Sequence, residues 1–218
     1  MGVIRRPTGL RNEPRIITYI VGFISVSDLI YAHIRPSLRA YFYGSPHTTD
    51  SFHSLLSTTN SLPDADVALF EVSATTGINS DGIAHWQTAR DLYIPSIVLI
   101  TDLMESENDF EDMVLIAGRI LDPLVTPYLI LHSDSGEPAA LIDLDTLLIT
   151  DYSRPEPEVR ASEAEHKNLV LEFRQEFFDA RDAAGENAFE HGLLFPALPL
   201  IPEMKMGIAE VLSYLTKL

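Results

Sequence analysis

The sequence predicts an α/β protein whose mostly parallel sheet is covered by helices on both faces. Two observations carry that expectation. Predicted strands and helices alternate along the chain, as they do in βαβ units. Two mainly apolar runs, residues 66–72 and 96–101, flank a helical stretch, and strands buried on both faces read this way rather than as an alternation. Hydrophobic residues make up 46% of the 218, enough for a substantial core.

Taken in order, residues 1–14 read as a basic, loop-like extension with Arg5, Arg6 and Arg11. Residues 15–21 (RIITYIV) are β-branched and predict the first strand. A small polar turn at 22–28 leads to a helix at 29–38, interrupted at Pro36. A second strand is expected at 40–43, a loop at 45–49 and a weak helix at 51–62. The strand at 66–72 is followed by a helix at 82–92, with Ile83, Trp86, Ala89 and Arg90 near one face, and by the strand at 96–101. Residues 108–121 are amphipathic, with Asn108 as N-cap and Glu111 completing a capping box. A strand at 127–132 precedes a hairpin at 139–152 that turns near 143–146. Residues 153–160, with Pro155 and Pro157 among charges, read as a linker. Ser162 and Glu165 form a second capping box, opening a helix to about 183 whose Leu169, Phe173, Phe177 and Ala180 recur at helical spacing. A polar loop at 184–192, a last strand at 193–198 and a last helix at 204–218 complete the chain. Ile208, Val211, Leu212, Leu215 and Leu218 form that helix's apolar stripe.

Composition narrows the function. Fifteen basic against 32 acidic residues give a net charge of −17, which disfavours free nucleic acid as a partner. Cysteine is absent, excluding disulfides, thiolate catalysis and cysteine-ligated metals. No apolar run approaches the roughly 18 residues of a membrane span. The start lacks a signal-peptide cleavage pattern, so a cytoplasmic protein is expected.

Residues 65–104 (ADVALFEVSATTGINSDGIAHWQTARDLYIPSIVLITDLM) are the most informative stretch. They spell strand, loop, amphipathic helix, buried strand and then a polar tetrapeptide. Gly77, Trp86, Ala89 and Pro95 fall in step with the same residue types in the G domain of elongation factor G, which this stretch resembles. Weaker pieces extend the resemblance in order along most of the chain. It implies a three-layer sandwich of the P-loop GTPase type, with residues 15–133 as a G-domain-like core. Residues 134–192 stand where the family carries its G′ insertion, here reduced, and residues 193–218 resemble the last strand and helix of the core. The family's ligands are GTP and magnesium. The chain stops where elongation factor G continues into a β-barrel domain, so it reads either as a stand-alone domain or as a piece of a longer factor-like protein.

Every nucleotide-binding motif is altered, and each alteration removes chemistry. A phosphate loop needs glycines that turn backbone N–H groups to the phosphates, a lysine, and a hydroxyl for magnesium. Gly22 holds the first glycine position, and Ser25 lies within the loop. Ser27 replaces the second glycine, Asp28 the lysine and Leu29 the magnesium hydroxyl. A carboxylate at the lysine position turns an attraction of roughly 4 kcal/mol at 4 Å into a repulsion of similar size. The long switch I segment is absent, and the Asp-Thr-Pro-Gly-His motif falls near residues 45–49, reading SPHTT. Asn-Lys-x-Asp is replaced by Thr101-Asp102-Leu103-Met104, so Met104 stands where an aspartate would pair with guanine. The final Ser-Ala motif falls near Ile201 and Pro202, and Pro202 has no backbone donor.

The resemblance and these losses together imply a pseudo-GTPase: an elongation factor G-like protein without cofactor, binding or scaffolding proteins. By the resemblance alone, its partner would be the ribosome or other translation machinery. Two alternatives remain open at this point: a GTP-binding translation factor with deviant motifs, and a small-ligand enzyme of flavodoxin-like architecture using the turn at Ser25–Asp28. Other groupings have plainer explanations. His47, Asp50 and His53 have metal-ligand spacing but sit in a polar loop running into a helix. Glu163, Glu165 and His166 belong to a solvated helix start. Ser25 and Ser27 are good helix caps. The acidic run at 102–112 suits a solvated helix start, where acids favour the dipole.

Overall fold

The computed structural model describes residues 32–218, so the strand expected at 15–21 and the turn at 22–28 lie outside the described residues. The described chain opens with β1 (Arg39–Tyr43), α1 (Pro46–His53) and a short β2 (Ser57–Thr59). Next come β3 (Val67–Ser73), α2 (Ser80–Asp91), β4 (Ser96–Thr101) and α3 (Phe110–Ile120). Four strands follow: β5 (Tyr128–His132), β6 (Pro138–Asp143), β7 (Leu148–Asp151) and β8 (Glu158–Ala161). The chain then forms α4 (Ala164–Leu169), α5 (Leu171–Ala184), β9 (Ala197–Pro199) and α6 (Ile208–Leu215).

Two sheets result. One is five-stranded and parallel, in the order β2-β1-β3-β4-β9; the other is four-stranded and antiparallel, in the order β5-β6-β7-β8. Alternation along β3 and β4 divides the parallel sheet's side chains between two cores. Val67, Leu69, Ile97 and Leu99 join Phe52 of α1 and Val211, Leu212 and Leu215 of α6. Ala68, Phe70, Val72, Val98 and Ile100 join Trp86 of α2 and Phe110, Met113 and Ala117 of α3. Each large apolar side chain so buried contributes about 1.5–3 kcal/mol. The antiparallel sheet adds Leu129, Ile142 and Ile149 to the first core, and Ile130 and Leu141 to the second.

The α/β class and the helix-covered parallel sheet match the sequence expectation, but the P-loop GTPase layout does not. A phosphate loop rides on a strand–loop–helix unit at the sheet's ligand-binding edge. Here β1 pairs directly with β3, from Ala40 against Val67 to Tyr43 against Phe70, and β3 pairs directly with β4. No interior slot remains among the described strands for the strand expected to carry that loop. The separate antiparallel sheet is a second departure. The strand expected at 127–132 belongs to that sheet as β5, antiparallel to β6.

Smaller differences have local causes. The expected loop at 45–49 starts a helix, because Ser45 caps it and Pro46 sits where a missing N–H costs nothing. The weak helix at 51–62 ends at His53 and gives way to β2. Asp109 rather than Asn108 caps α3, accepting from the Asp112 N–H at 2.9 Å. The expected linker contains β8, a fully exposed edge strand that starts just after Pro157. The helix expected from 162 breaks at Val170 into α4 and α5. Among the described residues, no helix is long and apolar enough to cross a membrane.

Candidate functional site

From β1 the chain runs through α1 outward to β2, whereas from β3 it runs through α2 the other way to β4. The strand order therefore reverses between β1 and β3, and open α/β sheets bind ligands in the crevice at such a point. A crevice of about 470 Å³ lies there, between the loops that follow the two strands.

Its floor is built around Glu71, the charged residue of the otherwise uncharged β3. The Glu71 carboxylate accepts hydrogen bonds from the Ser45 backbone N–H, the Ser45 hydroxyl at 3.3 Å and the Thr101 hydroxyl at 3.0 Å. Ser45 in turn caps α1, its Oγ accepting from the Thr48 N–H at 3.3 Å. Gly44 lets these groups approach: a side-chain carbon there would lie 2.7 Å from the Glu71 Cβ. A helix N-terminus ordinarily receives an anion through its free N–H groups and positive dipole end. In this molecule Glu71 supplies that anion from within.

The opposite wall is the loop after β3. The Ser73 hydroxyl donates to Asp102 at 2.5 Å and accepts from the Thr75 and Thr76 N–H groups at 3.2 and 3.1 Å. Asp102 has a left-handed backbone (φ 57°), a conformation aspartate tolerates better than most residues. Asn79 caps α2, its Oδ1 accepting from the Gly82 N–H at 2.8 Å and from the Tyr43 hydroxyl at 2.7 Å. The Tyr43 ring lies 5.0 Å from that of His85. Among the described residues, no lysine or arginine lines the crevice.

The sequence-predicted positions separate here. Gly22, Ser25, Ser27, Asp28 and Leu29 lie outside the described residues. Thr101 and Asp102 join the crevice network, Asp102 through Ser73. Met104 lies apart from that network, half exposed, whereas Leu103 is buried. His47 pairs with Glu203 at 3.2 Å and His53 with Asp50 at 3.8 Å, and among the described residues no cluster of three ligating side chains could hold a metal. At the start of α4, Glu163 occupies the N-cap while the Ser162 hydroxyl and the His166 Nδ1 are buried without a hydrogen-bond partner. Sequence reasoning missed Glu71, Ser45, Ser73, Asn79 and Tyr43. For Glu71 a signal existed, because a carboxylate inside an apolar run is rarely left without a partner.

Chemically, the crevice lining presents one carboxylate, Glu71, with hydroxyls and two aromatic rings, Asp102 standing behind Ser73, and among the described residues no positive charge from a side chain. Phosphate would meet repulsion from Glu71 and Asp102 and find the α1 N–H group at Ser45 already bonded.

No protein-family model and no curated protein matches the sequence. Among solved structures, the crystal structure of ttk003000868 from Thermus thermophilus matches with a TM-score of 0.63 and 24% identity. The match covers 72% of this chain and 27% of that one, so the chain spans about a quarter of that protein's length. At this identity the likeness is one of fold.

Proposed function

We propose that this chain is a protein-binding or scaffolding module of elongation factor G-like descent that neither binds nor hydrolyses GTP. The observation that carries the reading is the Glu71 carboxylate seated on the Ser45 N–H, at the helix end and switch point where a phosphate would otherwise bind. Asp102, bonded to Ser73 of the opposite wall, adds a second negative charge. The spelling of residues 65–104, with Gly77, Trp86, Ala89 and Pro95 in step with the family, supports the descent, and Thr101 to Met104 in place of the guanine-binding motif supports the loss of GTP. The acidic balance supports a protein partner over free nucleic acid.

The translation link is tested by co-sedimentation with ribosomes. The chain is expected in the ribosomal pellet to the same extent with GTP, GDP or no nucleotide. Its absence from the pellet under all three conditions would remove the ribosome as partner. Pelleting that requires GTP would overturn the nucleotide-free reading.

A further inference from the structure

Away from the crevice, a cavity of about 790 Å³ opens where the turn after β6, the end of α5, residues 185–194 and the end of α6 meet. Its size suits a small molecule. Four aromatic rings wall it: Tyr128, Phe177, Phe189 and Tyr214. Phe189 and Tyr214 meet edge to face at 5.1 Å, which fixes the Tyr214 ring. Five carboxylates line the cavity against two cations. One cation, Arg181, is held by Asp145 at 3.1 Å. The other, Lys217, lays its ammonium on the face of the Tyr214 ring, 4.0 Å from the centroid.

We propose that this cavity binds a small quaternary ammonium ion, and that Lys217 fills the seat in its absence. The ring face is negative and the surplus of carboxylates is negative, so both favour a cation over a neutral or anionic ligand. Lys217 marks the place where such a charge rests. Partial burial against the Tyr214 ring lowers the Lys217 pKa, as expected of a primary ammonium that gives up part of its hydration. A quaternary ammonium has no proton to lose, and aromatic cages are its recognised setting. The Lys217 chain is itself exposed, so it can leave the ring for solvent when the ligand enters.

Titration with choline and with its neutral isostere 3,3-dimethyl-1-butanol tests this, in the unaltered chain and in Lys217→Ala. Choline is expected to bind about tenfold more tightly than the isostere to both, and about threefold more tightly to Lys217→Ala than to the unaltered chain. Equal affinity for choline and the isostere would overturn the proposal, since only the charge differs between them. So would a Lys217→Ala variant that binds choline no better, or an absence of choline binding to either chain at roughly 20 mM.

Discussion

Glu71 departs from the rule that a parallel central strand is apolar throughout, and its hydrogen bonds show what offsets the departure. Three donors from two elements converge on one carboxylate. Bonds to a charged acceptor are stronger than neutral ones, so Glu71→Gln keeps the shape and loses the charge. Urea unfolding is expected to show a loss of about 1–2 kcal/mol. An unchanged midpoint would mean that the carboxylate contributes nothing at the end of α1. Gly44 is bound to the same feature. Gly44→Ala places a carbon against Glu71 and is expected to destabilise by about 1–3 kcal/mol, measured the same way.

At the scale of elements, the β3-α2-β4 unit was legible because its signals agree. Mainly apolar runs, an amphipathic helix and a short connection all point to one buried βαβ unit. Trp86 anchors it: the indole is fully buried, packs edge to face on Phe70 and Phe195, and donates to Asp122 at 2.7 Å. Trp86→Phe removes that donor and leaves a gap, with an expected loss of about 2–3 kcal/mol in thermal unfolding. A loss under about 0.5 kcal/mol would show that the indole N–H and its bulk are dispensable. What was not legible depended on partners remote in sequence. Whether residues 127–132 join the parallel sheet or a hairpin is decided by β6, since the run YLILH suits either. The prolines before β8 look like a linker until β7 supplies a ladder. The role of Glu71 depends on Ser45, 26 residues away in the sequence. Caps moved by one residue because Asn108 and Asp109 can do the same work.

At the scale of the molecule, the two sheets share their cores, and one buried polar contact ties the antiparallel sheet's side to α6. The Tyr152 hydroxyl lies 2.7 and 2.9 Å from the two carboxylate oxygens of Glu210, with both residues about 95% buried. Burial raises the Glu210 pKa, and Asp143 adds to the effect, although the Tyr152 O–H and backbone donors pull the other way. The folded state therefore binds this proton more readily than the unfolded chain. Its contribution favours folding below the unfolded carboxyl pKa, near 4.3, and declines as pH rises through the raised value. Glu210→Gln is neutral throughout and can still accept from Tyr152. Its stability relative to the unaltered chain is expected to improve in urea unfolding as pH rises above the unfolded carboxyl pKa and to level off once the raised value is passed, whereas a difference independent of pH would contradict the assignment.

The central claim concerns what the switch-point crevice refuses. Its own carboxylate holds the anion seat, a second carboxylate, Asp102, is bonded to the lining residue Ser73, and no side-chain cation lines it among the described residues. Calorimetric titration of the chain with GTP, GDP and ATP, each with magnesium, measures this directly. The account predicts no binding tighter than about 10 μM, roughly −7 kcal/mol, for any of the three. A tighter constant for GTP or GDP would contradict it.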